Sequence, residues 1–215
     1  MPRVKEVMPM PKLYNSLFVI LLALLALNLH GCATSPQTGG TLQTSQADVP
    51  PEAGAEFAQA LAMLKSGQRA IALKLFQHMA QRYPLLAGVQ VNIGIIDLQD
   101  NKTDDAISAL RHAIKLNPAN ASAHNHLGIA YRRSGQFNAA KESYLRALKI
   151  NPDYANAHLN LAILYDIYLQ QLDKAREQYQ QYQRLSKVED KQVARWLIDL
   201  RRRIHDSKPK SQGGS

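Results

Sequence analysis

Few side chains in this chain have the type and spacing to do chemistry. Cys32 is its one cysteine, so no thiol pair is available for an intrachain disulfide or a zinc site. His124 and His126 form a His-x-His, and His158 follows His124 by thirty-four residues. Residues two apart on a helix diverge, so His124 and His126 do not share a face. His124 and His158 can meet only if the fold stacks their two segments. A metal-binding or hydrolytic pair is then one reading, and packing against a neighbouring helix is the default. No P-loop, dinucleotide fingerprint or nucleophile elbow is present. The other polar side chains are therefore read as contacts, and no cofactor is expected.

The elements that must position these residues repeat. Pro84, Pro118 and Pro152 stand thirty-four residues apart, the last two inside the near-identical phrases Ala113-Ile114-Lys115-Leu116-Asn117-Pro118 and Ala147-Leu148-Lys149-Ile150-Asn151-Pro152. A fixed period of about 34 marks a solenoid, in which each unit stacks on the next and the product is an extended surface. Glu, Lys, Arg, Ala and Leu dominate the middle of the chain and β-branched runs are rare, which favours helix. Each proline falls between hairpins, where no helical amide is lost. Gly67 and Gly135 occupy the turns inside hairpins, with Asn101 in the same role, because a left-handed residue stops a helix cheaply. The fourth unit lacks that signal and carries an extra residue within Leu169-Gln170-Gln171-Leu172, so a longer or displaced turn is expected there.

The ends differ from the middle. Arg3, Lys5 and Lys12 precede an apolar stretch, Leu17 to Leu29, interrupted only by Asn28. Its thirteen residues fall short of the roughly 20 that span a bilayer, and the plan is that of a secretory leader. From Ala33 to Pro51 the chain is polar and rich in Gly, Ser, Thr and Gln, the composition of a flexible tether. After the fourth unit, Val193, Trp196, Leu197, Leu200 and Ile204 recur at helical spacing. This is read as a helix capping the last repeat, with Trp196 as its plug and Lys191, Arg195 and Arg202 on its wet side.

Two resemblances follow. Leu29-His30-Gly31-Cys32 resembles the lipobox of bacterial lipoproteins, with His30 a departure from it. It implies cleavage after Gly31, lipidation (palmitate among the acyl groups) of Cys32, and anchorage in the cell envelope. Ala33 after the cysteine favours the outer membrane, facing the periplasm. Cleavage removes Arg3, Lys5, Lys12 and Glu6 and takes the formal charge from +9 to +7. An exported basic chain meets little nucleic acid, so anionic envelope surfaces or acidic proteins are the expected partners, and nucleic acid is not.

The second resemblance is to tetratricopeptide repeats. The third unit carries it most clearly, in Leu127, Gly128, Tyr131, Ala140, Tyr144, Ala147 and Pro152. Ile93, Gly94, Ala106, Leu110, Ala113 and Pro118 repeat it, as do Ala60, Ala72, Phe76, Met79 and Pro84, and then Leu161, Ala162, Tyr165, Ala175 and Tyr179. The implied fold is all-α: a right-handed solenoid of four helical hairpins (53–86, 87–120, 121–154, 155–188) and a capping helix (189–206), behind a leader (1–31) and a tether (32–52), with a disordered tail (207–215). In this family the first helix of each hairpin lines a concave groove. Here those positions supply Asn92, Gln99, Asn125, His126, Arg132, Arg133, Asn156 and Asn160, with Ser122 and Asp166 beside them. An asparagine amide can pair bidentately with a peptide backbone. Asn92, His126 and Asn160 share one repeat position and resemble a fragment of the asparagine ladder that holds extended peptides. Arg132 and Arg133 favour an acidic segment or a C-terminal carboxylate. Phe57, Leu61, Val91 and Ile95 stand where a chaperone-type carboxylate clamp needs Lys and Asn, so that clamp is not supported.

The resulting expectation is a lipid-anchored, non-enzymatic scaffold that holds an envelope protein or an extended peptide. Its alternatives are a pilotin-like factor for type IV pili, an adaptor of cell-wall hydrolases, or an accessory of a TonB-type system. The last rests on Asn160-Leu161-Ala162-Ile163-Leu164-Tyr165-Asp166 and Ala194-Arg195-Trp196-Leu197.

Overall fold

The computed structural model describes residues 50–207. The leader, Cys32, most of the tether and the tail from residue 208 lie outside the described residues. The described chain is helical throughout and contains no strand. In order it forms α1 (Pro51–Lys65), α2 (Arg69–Arg82), α3 (Ala87–Gln99), α4 (Thr103–Leu116), α5 (Ala121–Arg133), α6 (Phe137–Ile150), α7 (Ala155–Ile163), a π-helical turn (Leu164–Tyr168), α8 (Leu172–Leu185) and α9 (Lys191–Ser207). None of these helices is long and apolar enough to cross a membrane.

The repeated phrases build repeated joints. Asn117 and Asn151, each before a proline, are held extended at φ −139 and −133 because the proline ring clashes with α geometry in its predecessor. Their side chains accept from Ala119 N at 3.0 Å and Asp153 N at 3.1 Å, an Asx turn that starts the next hairpin. Inside hairpins, Gly67, Asn101 and Gly135 take φ values of 80, 61 and 76. Each is followed by an amide that reaches five residues back, Gln68 to Met63, Lys102 to Asp97 and Gln136 to Tyr131. This is the bond that satisfies the last free carbonyls of a helix.

The fourth hairpin keeps its turn and stretches its first helix instead. Gln170 takes the left-handed place at φ 52, so the turn is no longer than the others. The corresponding bond, Gln171 to the Tyr165 carbonyl, spans six residues. The extra residue is absorbed in the π turn, where Leu169 N bonds Leu164 O. Of the two alternatives expected there, the longer turn is not found and the displaced one is: the left-handed residue falls at Gln170, one position past the thirty-four-residue spacing of Gly67, Asn101 and Gly135. A turn of three residues already satisfies the helix end, and one π-type bond takes up an inserted residue without moving either flank.

Sequential helices pack as antiparallel hairpins, α1 with α2, α3 with α4, α5 with α6 and α7 with α8. In two of these hairpins the helices meet at a glycine, Gly94 in α3 and Gly128 in α5. A Cβ at Gly94 would meet Leu110 at 2.6 Å, and one at Gly128 would meet the Tyr144 ring at 2.5 Å. The partners of these glycines are thus large buried side chains, backed in the first case by the Ala106 carbonyl. Helix α5 also contacts both α3 and α7, while the even-numbered helices stand further apart. The odd helices consequently form the tighter, inner side of the stack.

Helix α9 occupies the place of a first helix in an unfinished fifth repeat. Asp190 caps its start by accepting from Gln192 N and Val193 N at 2.9 and 3.2 Å, as Asn120 accepts from Ala123 N at 2.9 Å at the start of α5. Val193, Leu200 and Ile204 are buried. Trp196 is only partly buried, against Tyr179 at 5.6 Å between ring centroids, so the plug is the Val193–Leu200–Ile204 face. The reason is register: counted from the first helical residue, Val193 and Leu200 match the buried Ala123 and Ala130 of α5.

Candidate concave groove

The amides of the inner face are mostly engaged within the protein. Asn125 is buried, and its side-chain oxygen accepts from Asn160 Nδ2 at 3.0 Å, tying α5 to α7 across successive repeats. Asn160 keeps its own oxygen and a second N–H. Asn92 Nδ2 donates to the Gly88 carbonyl one turn earlier at 2.8 Å, so it is bonded within its own helix and not to a neighbour in the column. His126 stands between them, with Nδ1 2.8 Å from the Ser122 carbonyl and 3.3 Å from the Ser122 hydroxyl. A carbonyl only accepts, so Nδ1 carries the hydrogen and Nε2 is left as an acceptor. Burial pushes the His126 imidazole down in pKa, against the opposing effect of the Ser122 carbonyl.

The two arginines do different work. Arg133 donates to the Leu98 carbonyl at the end of α3, where a cation suits the helix terminus. Arg132 is half-buried beside the Tyr144 phenol, with its guanidinium 5.8 Å above the Tyr168 ring, and its Nε is buried without a hydrogen-bond partner among the described residues. Tyr168 reaches this position from the π turn and also packs on Phe137 at 4.7 Å. Gln99 and Asn156 are exposed and make no side-chain hydrogen bond among the described residues. In the apolar half, Val91 is buried with Ala113 and Ala123, and Ile95 packs against that group. Phe57 and Leu61 are partly buried against the first hairpin's core.

Three residues considered for the groove or a metal belong elsewhere. Asp166 is buried and forms an ion pair with Arg203 of α9 at 2.7 Å, with the Tyr179 hydroxyl at 3.5 Å. Burial pushes the Tyr179 phenol up, and the Asp166 carboxylate adds to it. His158 places Nε2 2.8 Å from the Pro152 carbonyl and Nδ1 2.7 Å from the Gln178 amide. His124 repeats the first contact on the Pro118 carbonyl at 3.0 Å. Each histidine thus ties its helix to its own proline joint. No group of three or more His, Cys, Asp and Glu capable of holding a metal occurs among the described residues.

Arg203 was not foreseen from the sequence, although a signal existed. It is the thirteenth residue of α9, as Arg133 is of α5, and both reach the end of the preceding inner helix.

Comparison with known families matches the model of the TPR repeat at residues 94–135 and 130–166. Residues 94–166 thus carry tetratricopeptide repeats. Solved structures share the fold. MamA from Desulfovibrio magneticus RS-1 is 20% identical with a TM-score of 0.62, over 73% of this chain and 87% of that one. PilF from Pseudomonas aeruginosa is 18% identical with a TM-score of 0.65, over 72% and 69%. The first TPR of Spaghetti (RPAP3), solved bound to an HSP90 peptide, is 21% identical with a TM-score of 0.52, over 55% and 93%. No curated protein matches the chain in sequence. The tetratricopeptide array makes this chain a protein-interaction scaffold.

Proposed function

We propose that this scaffold captures an extended segment of an envelope protein in the groove between α3, α5 and α7, and that lipidated Cys32 holds it at the outer membrane, facing the periplasm. The observation that carries the groove reading is the Asn125–Asn160 bond. It fixes the Asn160 amide with an oxygen and an N–H still available, close in sequence register to the Nε2 acceptor of His126. A pre-ordered amide loses little freedom when it meets a peptide backbone. Arg132, carrying an unpartnered Nε, adds a cation for an acidic residue of the ligand. A tetratricopeptide domain of this fold binding an HSP90 peptide is consistent with that mode. In this reading the chain is non-catalytic, and the partner is a protein rather than a nucleic acid.

Crosslinking in intact cells followed by identification of the bound protein is the test. Asn160→Ala should weaken capture while leaving the fold intact, and unchanged capture refutes the groove. The anchor is tested separately: Cys32→Ser should abolish labelling by radioactive palmitate and release the protein from membranes. A pilotin-like role remains a second reading, and the likeness to PilF supports it only at the level of fold.

A further inference from the structure

The even-numbered helices leave a second surface that the groove does not use. Between α4 and α6, with α5 as its floor, runs an open cleft of about 520 Å³. Arg111 and Lys115 project from the α4 wall and Arg146 from the α6 wall. None of the three forms an ion pair or a side-chain hydrogen bond among the described residues. Five other arginines, Arg69, Arg82, Arg176, Arg202 and Arg203, hold carboxylates, whereas Arg184, Arg195 and Arg201 are unpaired among the described residues as well; what sets Arg111, Lys115 and Arg146 apart is that they line one cleft. Like charges four residues apart on a helix repel, so Arg111 and Lys115 weaken α4 slightly as they stand. Arg146 lies near enough to the His124 ring that its charge helps to push that imidazole down, after burial and against the Pro118 carbonyl. A single acid, Glu142, lies on the rim. Between the charges the lining is apolar at Leu127 and the partly buried Tyr131 of α5 and at Ile114 of α4, with His124 of α5 beside them.

We propose that this cleft binds an acidic peptide segment of a partner protein, its carboxylates paired with Arg111, Lys115 and Arg146 and an apolar side chain seated on Leu127 and Tyr131. The spacing fits. Arg111 and Lys115 are about 6 Å apart along the helix axis, and alternate residues of an extended peptide repeat at about 6.6 Å. A free phosphate would leave the apolar lining unused, whereas a peptide covers both. The site lies on the opposite side of α5 from the groove amides, so a partner could engage either face without the other.

The test uses the full-length chain and fluorescence anisotropy with a labelled glutamate-rich decapeptide containing two leucines. Its control is the same peptide with glutamine for glutamate. The expected result is binding of the acidic peptide alone, weakened by salt and reduced about tenfold in Arg111→Gln with Arg146→Gln. The melting temperature should hold or rise, because exposed like charges are removed. If that double variant fails to fold, Lys115→Gln alone should still cut affinity about threefold. Equal binding of the neutral peptide overturns the proposal. Binding untouched by the cleft substitutions but lost in Asn160→Ala overturns it too, by placing the peptide in the groove. Retention on phosphatidylglycerol vesicles without peptide binding assigns the cations to lipid and likewise refutes it.

Discussion

The ion pair between Asp166 and Arg203 joins the last hairpin to the capping helix, and breaking it should loosen that end of the array. The side chains are 11% and 35% exposed, respectively, and 2.7 Å apart. Removing one partner of a fully buried pair costs about 3–5 kcal/mol, because the other charge is stranded. Arg203 keeps about a third of its surface in water, so solvent screening reduces the expected cost of Arg203→Met to roughly 2 kcal/mol. For a domain of this size that corresponds to a fall of about 4–8 °C in Tm. Arg203 also lies 3.7 Å from Asp199, but that carboxylate is 47% exposed, and Asp199→Asn should shift Tm by no more than about 1 °C. The double variant Asp166→Leu with Arg203→Met removes both charges and should recover most of the loss, giving a coupling of about 1–2 kcal/mol. Thermal and urea unfolding followed by circular dichroism measure these values. Hydrogen exchange should show the amides of α9 opening faster in Arg203→Met alone. A Tm for Arg203→Met within 1 °C of the parent, or a double variant no better than the single, would refute the claim that this pair holds the cap.

Other outcomes follow from individual positions. Gly128→Ala should destabilise by about 1–2 kcal/mol despite the gain in helix propensity, since its Cβ would sit 2.5 Å from the Tyr144 ring; equal or higher stability in urea titration contradicts the close approach. Asn101→Gly should stabilise by about 0.5–1 kcal/mol at its φ of 61, while Asn101→Ala should lose a similar amount, measured by the same titration. Asp97 is buried near Asp105, and burial followed by that neighbour raises its pKa above the ordinary carboxylate value. The folded state then binds more protons than the unfolded one between the ordinary and the raised value, so this residue's contribution falls as pH rises through that window. Asp97→Asn should raise Tm by a few degrees at pH 7 and have little effect at pH 3. An equal effect at both values would remove the electrostatic cause.

The repeat architecture was legible because it is a local pattern written several times over. A proline after an asparagine and a left-handed residue at thirty-four-residue spacing each act through backbone sterics, and those are the same wherever the chain goes. The fourth hairpin shows the limit of that legibility. An extra residue is visible in the sequence, but whether it lengthens a turn or a helix depends on which site absorbs it at lower strain, and the flanking packing chose the π turn Leu164–Tyr168. Trp196 shows it again: a large aromatic looked like a plug, yet the register inherited from the preceding inner helices buried Val193 and Leu200 instead.

The sequence by itself determined the element type, the period, the joints and the set of polar residues offered by the inner helices. Only the tertiary structure decided which of those residues stay available. Asn92 bonds its own helix, Asn125 and Asn160 bond each other, Asp166 is taken by Arg203, and His124 and His158 each tie down a proline joint. Arg111, Lys115 and Arg146, unremarkable along the chain, converge on one cleft. The physical reason is that a hydrogen bond or ion pair between repeats depends on distances of a few ångströms across a stack, and periodicity fixes which face a residue occupies but not which neighbour it meets.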